Sequence, residues 1–528
     1  MRWRRIIVRC VPTALVVVGV GAAAREASTG WPWERSGRDE IREPAVAGQF
    51  YPEDPVKLGS ALDGFLKDAR PAGKERPVAL VVPHAGYIFS GQIAADAFAQ
   101  AAPYPYEVVV ILGTNHTVPG FSGLSIWGGG GFRTPLGVAR VDRELARKLA
   151  AADTDFQHDA AAHRREHSIE VQVPFVQRLF PQAAILPVVV GSPDAGLGAR
   201  FGAALARLLG PRQALVVASS DLSHYPSHDD AVAIDRSTLL AIAALDPDAL
   251  RAALHEDHGS EVPGLDTRAC GEAPILVAMA AAAALGAGHG TIVSYANSGD
   301  CAVGEPDRVV GYGAVVLAAG PPPRGAAAQP AVAGDEMHAG ISADDVAIAP
   351  ADRQALLTFA RESIHRFLVS ETVPLARGFA PALCCKRGAF VTLEEEGELR
   401  GCIGHMHADT PLAQVVGAMA LQAAFNDRRF TPVGRAELDR LDIEISVLGA
   451  PRPIPDAQAI VVGRDGVVLE MSDASAVFLP QVAVDQGWDV ETMLEQLCRK
   501  AGLAGDCWRE GARFRTFTAE VFGESHER

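Results

Sequence analysis

The sequence predicts an α/β chain folded as two domains. Three observations predict it: short Val- and Ile-rich runs alternate with Ala- and Leu-rich segments, the 528 residues exceed the length over which one core keeps growing, and a Pro-, Gly- and Ala-rich stretch over 320–343 divides the chain. Acidic residues outnumber basic ones by 64 to 48, for a net charge of −16, and no long Lys/Arg block interrupts the folded regions, which argues against nucleic-acid binding.

Residues 1–24 read as a signal peptide. Arg2, Arg4, Arg5 and Arg9 precede an uncharged, small and apolar run from Cys10 to Ala24 that ends in Ala22, Ala23 and Ala24. The run is shorter than the roughly 20 residues a membrane-crossing helix needs, so export is expected, with membrane contact through this segment only. A misplaced start codon is the competing reading and would leave the protein cytoplasmic.

Folded-looking sequence begins near Glu43, and a first domain is expected over 43–319. Strand-like runs occur at Val78–Val82, Val108–Leu112, Ile185–Val190, Ala214–Ala218, Thr291–Tyr295 and Val309–Leu317, each bounded by Gly, Pro, Asn or Ser. Between them, Gly198–Leu209 and Pro274–Leu285 have helix-forming composition. Strand alternating with helix predicts a layered sheet covered on both faces. After the 320–343 linker, 344–524 reads as α+β: a helix over Ala351–Phe367, strands at Ala389–Leu393, Ile443–Leu448 and Val467–Leu469, and a closing helix over Val490–Lys500. The cysteines at 10, 270, 301, 384, 385, 402, 498 and 507 form no CxxC pair and no dense framework, so they read as free thiols.

In open α/β sheets, ligands bind beyond the carboxyl ends of strands. Three apolar runs lead into Pro83-His84-Ala85-Gly86-Tyr87, Gly113-Thr114-Asn115-His116 and Ser219-Ser220-Asp221-Leu222-Ser223-His224. One histidine past a strand is ordinarily a hydrogen-bonded structural residue. Three delivered toward one edge form the pattern of a metal or acid/base centre, because neutral imidazole donates a lone pair to borderline cations. Asp221 is a candidate to orient an imidazole, or else to cap a helix. In the run from His163 to Glu170, His163 and His167 would share a face if the segment were helical. Cys270 precedes the helix-like segment from Pro274, where a helix N-terminus would favour thiolate; buried and inert is its alternative reading.

At these residues the first domain resembles the Memo family. The resemblance is carried by Ala45-Val46-Ala47-Gly48-Gln49-Phe50-Tyr51-Pro52, Pro83-His84-Ala85-Gly86-Tyr87, Phe132-Arg133-Thr134-Pro135-Leu136, Glu166-His167-Ser168-Ile169-Glu170 and Ser219-Ser220-Asp221-Leu222-Ser223-His224. It implies a sheet with flanking helices like that of class III extradiol dioxygenases. It also implies a metal site at His84, His116 and Cys270, with His224, Asp221 and His167 as catalytic candidates. Fe(II) is the implied metal, with Cu or Zn as alternatives. A thiolate in place of the dioxygenase carboxylate is a softer, more oxidisable ligand, so dioxygenase chemistry does not follow from the fold.

The second domain resembles the AMMECR domain, on Leu399-Arg400-Gly401-Cys402-Ile403-Gly404, Ala424-Phe425-Asn426-Asp427-Arg428-Arg429-Phe430, Asp442-Ile443-Glu444-Ile445-Ser446-Val447-Leu448 and Phe478-Leu479-Pro480-Gln481-Val482. The pair is similar to proteins B and A of the AmmeMemoRadiSam system, here fused, which implies a radical S-adenosylmethionine protein as partner and leaves open a small-molecule or peptide substrate. Cys402, with His405 three residues on, suggests a Cys/His nucleophile, against which the flanking glycines read equally as close packing. A non-catalytic binding or assembly module, or metal custody, is the rival to an oxidoreductase.

Overall fold

The computed structural model describes residues 40–191, 194–255, 262–320, 347–472 and 474–524. The signal-like segment over 1–24 and the 320–343 linker, Gly320 apart, lie outside the described residues. The chain divides into two compact units: the first runs to His224, with Ala233–Ser294 and the strand from Gly311, and the second takes Tyr225–Val232, Tyr295–Val310 and the C-terminal part.

In the first unit, β1 (Pro77–Val82), β2 (Val108–Thr114), β3 (Leu124–Ile126), β4 (Phe156–Gln157), β5 (Ala184–Val190), β6 (Ala214–Ser219), β7 (Ala287–Asn297) and β8 (Gly311–Ala319) form one eight-stranded sheet. Its order is β7-β8-β1-β6-β2-β5-β3-β4. The middle four strands are parallel, with Val82 opposite Ser219, Ala218 opposite Leu112 and Thr114 opposite Val190. Strands β8 and β3 add antiparallel neighbours on either side. Every residue of β2, β5 and β6 is buried, which is why these runs are continuously apolar rather than alternating.

Helices Tyr87–Ala101, Ala195–Leu209 and Glu272–Ala284 supply cover. Gly202 lets two of them approach closely: a Cβ there would stand 2.8 Å from the Ala280 carbonyl oxygen. The six apolar runs named from sequence fall within β1, β2 and β5–β8, the last strand starting at Gly311 rather than Val309. A small separate sheet pairs Ile41–Arg42 in parallel with Gly131–Thr134, which turns back on Gly137–Arg140.

The second unit holds two four-stranded sheets built from β9 (Ala389–Glu395), β10 (Glu398–His405), β11 (Leu441–Leu448), β12 (Arg452–Ile454), β13 (Gly466–Met471), β14 (Ala474–Phe478), β15 (Arg513–Phe517) and β16 (Ala519–Gly523). Their orders are β10-β9-β11-β16 and β12-β15-β13-β14, with antiparallel pairing throughout. Helices Pro350–Ser370 and Leu412–Phe425 close a core with Val391, Leu393, Ile443 and Ile445.

The expectation that all cysteines are free thiols is corrected here: Cys498 and Cys507 form a disulfide. The helix Val490–Lys500 ends at a reversal through Gly502, whose φ of +77° suits glycine, and the returning chain brings the two Cα atoms to 5.9 Å. Among the described residues, Cys270, Cys301, Cys384, Cys385 and Cys402 take part in no disulfide.

Candidate metal centre

The carboxyl ends of β1 and β2 flank that of β6. The loops that follow bring His84 and His116 together, and His167 joins them from the segment before β5: the available ligand atoms of the three imidazoles lie within 4.8 Å of one another. The rings of His116 and His167 stack at 4.6 Å, and His84 stands edge-on to both, at 5.2 and 5.3 Å. His84 is buried, whereas the His116 side chain is 29% exposed and gives the centre an opening.

Hydrogen bonds assign the nitrogens. Ser219 Oγ lies 2.6 Å from the Ser168 carbonyl, so its single proton is donated there, and it accepts from Gln172 Nε2 at 2.9 Å. His84 Nδ1, 3.1 Å from the same oxygen, must therefore be the donor, which leaves Nε2 as the lone-pair nitrogen. His116 Nδ1 donates to the Glu166 carboxylate at 2.9 Å, with the same consequence. Glu166 also accepts from the backbone N–H groups of His116 and Ser168, at 2.8 and 2.9 Å, and stands 3.6 Å from His167 Nδ1.

The electrostatics favour neutral rings at His84 and His167. Burial, reinforced by the neighbouring imidazoles, pushes the His84 pKa well below its ordinary value, and burial brings His167 down to about 4 against the pull of Glu166. Burial alone would raise Glu166, but the hydrogen bond and charge of His116 outweigh it and hold the carboxyl well below the usual range.

Cys270 Sγ lies 3.2 Å from His84 Nε2, and its carbonyl accepts from Thr114 Oγ1 at 3.1 Å, which ties it to the end of β2. The expected help from a helix N-terminus does not prevail: burial, then the Asp221 charge, pushes the thiol well above its ordinary pKa. Asp221 neither caps a helix nor hydrogen-bonds an imidazole. Its Oδ1 accepts from the backbone N–H groups of His84 and Ala85 at 2.7 and 3.2 Å, its Oδ2 stands 4.0 Å from His84 Nε2, and burial raises its pKa to about 7. His224 is on the adjoining loop, where its N–H donates to Thr267 and its carbonyl accepts from Asp266, at 2.9 and 3.0 Å.

His163 does not share a face with His167. Its helix, Ala160–Arg164, ends first, and its ring turns away to Ser125, with Nε2 3.0 Å from that carbonyl. Ser219, Gln172 and Glu166 are the orienting groups that sequence reasoning missed. The one signal in the chain was Glu166 standing beside His167.

In the second unit, the Cys402/His405 pairing fails. On β10 side chains alternate, so residues three apart point to opposite faces, and His405 Nε2 pairs instead with Asp409 at 2.6 Å.

A family model described as Memo-like protein matches residues 42–316, and one described as AMMECR1 matches 357–522. A MEMO1 family protein of Aquifex aeolicus is 38% identical over 273 residues, 52% of this chain and 97% of that one. MEMO1 family protein MK0963 of Methanopyrus kandleri is 37% identical over 291 residues, 53% of this chain and 99% of that one. Two solved structures are also similar. Uncharacterized protein PH0010 from Pyrococcus horikoshii is 37% identical at a TM-score of 0.33, covering 34% of this chain and 94% of that one. Uncharacterized protein JW3007 from Escherichia coli K12 is 12% identical at a TM-score of 0.31, covering 46% and 100%. Through the match over 42–316 and its curated relatives the chain belongs to the Memo-like protein family, and it carries an AMMECR1 domain behind its Memo-like part.

Proposed function

We propose that the first unit holds one transition-metal ion between His84, His116, His167 and the Cys270 thiolate, and that it serves as a non-haem iron oxidoreductase. The observation that carries this is the convergence of three imidazoles whose ligand atoms lie within 4.8 Å of one another, with the Cys270 sulfur 3.2 Å from His84 Nε2. The donor set fits: His84 and His167 are held neutral, and His84 and His116 have their second nitrogen engaged by Ser219 and Glu166, as metal-bound histidines ordinarily do. Fe(II), when bound, would supply redox chemistry and the positive charge that lets the half-buried thiol ionise. Asp221 and His224 border the centre and would hold or move protons for a bound substrate; His167 serves as a ligand in this reading rather than as an acid or base. The radical S-adenosylmethionine partner belongs to the proposal as a protein that the AMMECR domain would engage.

A second reading is metal custody. Three imidazoles and one thiolate fill a tetrahedral shell, as in closed sites for Zn(II) or Cu(I), with no position left for substrate. Metal quantification and oxygen uptake with candidate catechols on anaerobically purified protein separate the two. For the site itself, His84→Ala and Cys270→Ala are expected to lower bound metal from about one ion per chain to a small fraction, with the melting curve of the first unit retained. Stoichiometric metal in both variants would overturn the assignment.

A further inference from the structure

Residues 165–169, which join the helix Ala160–Arg164 to the turn Glu170–Gln172, form neither helix nor strand, yet they carry Glu166 and His167. Irregular backbone holds a fixed course only where outside partners satisfy its polar groups. Here one side chain from the small sheet supplies several. Arg42 is 2% exposed; its Nε donates to the His163 carbonyl at 3.1 Å, one terminal nitrogen donates to the Glu166 carbonyl at 2.6 Å, and the other pairs with the Glu170 carboxylate. Glu170 is fully buried and also accepts from the N–H groups of Ala45 and Val46, at 2.8 and 3.0 Å, and from the Tyr51 hydroxyl at 2.6 Å. The guanidinium thus grips the ligand-bearing segment before, within and after its irregular stretch, and a strand pairing anchors it, with Arg42 opposite Phe132.

Resting on the metal-holding reading above, we propose that Arg42 is a positioning residue for the metal centre. Through the carbonyls it fixes, it places His167 directly and, by way of Glu166, the ring of His116. Two of the four donors then depend on a residue that touches neither. His84 and Cys270 stand on other loops and do not.

The test uses Co(II) as probe on the full chain. Arg42→Lys keeps a positive charge beside Glu170 but loses the planar fork that reaches two carbonyls, so it is the variant that separates positioning from burial of an orphan charge. It is expected to weaken Co(II) binding by about tenfold or more and to alter the d–d bands, while the thiolate charge-transfer band of Cys270 persists. Leu62→Ala, a core truncation in the same unit, should lower the melting temperature without changing those bands. Amide exchange over 165–169, measured without metal, should rise in Arg42→Lys. Affinity within about twofold of the unaltered chain with unchanged bands, or unchanged exchange over 165–169, would overturn the proposal. If the unaltered chain binds no Co(II), the metal reading alone falls, and the exchange measurement still decides what Arg42 does.

Discussion

At the scale of a residue, Asp427 shows how much a single carboxylate can organise. It accepts from the Cys402 N–H at 3.0 Å and pairs with Arg429 at 2.6 Å, and the Arg429 hydrogen bond, working against burial, holds its carboxyl well below the usual range. A carboxyl depressed in the folded state contributes stability that is present above its unfolded pKa of about 3.9 and is lost as pH falls below that value. Denaturant unfolding of the second unit should therefore weaken steeply below about pH 4, and Asp427→Asn should flatten that slope; equal slopes would refute the linkage. In the first unit, Cys270 follows no apolar run and entered the ligand set only through the family resemblance, whereas the placing of His84 and His116 was legible because a polar residue straight after an apolar run stands at a strand's open end. Their orienting partners were not. Ser219 and Glu166 act on rings 135 and 50 positions away in sequence, and only the sheet order brings them there. Asp221 was expected to align an imidazole, but its reach ends on backbone amides.

At the scale of an element, β10 explains the glycines around Cys402. A Cβ on Gly401 would overlap the Ala423 carbonyl oxygen of the helix Leu412–Phe425, whereas one on Gly404 would overlap the Phe390 ring. A side chain can swing aside and helix backbone cannot. Gly404→Ala should thus cost about 1–3 kcal/mol in denaturant unfolding, and Gly401→Ala more; the reverse order would show that β10 does not lie against the helix as described. The strands of the first sheet were legible because buried parallel strands read as unbroken apolar runs. Strand β10 was not: its glycines resemble a turn, and without a strand there the three-residue step from Cys402 to His405 gave no warning that the two face apart.

At the scale of the whole chain, the disulfide between Cys498 and Cys507 closes a loop with a sequence separation of nine and belongs to the core around Leu494 and Phe514. Its cysteines looked like scattered thiols because the reversal that joins them is set by a helix end and one glycine rather than by spacing. Loop-closure entropy puts its contribution at about 2–3 kcal/mol, so a reductant should shift the unfolding of the second unit and leave that of the first in place. No shift would mean that the bridge is not formed in solution. The two sulfur chemistries of this chain pull in opposite directions. The bridge needs surroundings that remove electrons from thiols, while a ligating Cys270 has to be kept from that same fate. A single compartment can satisfy both only if Cys270, which is half-buried, is sheltered by an ion already seated on it before the surroundings turn oxidising.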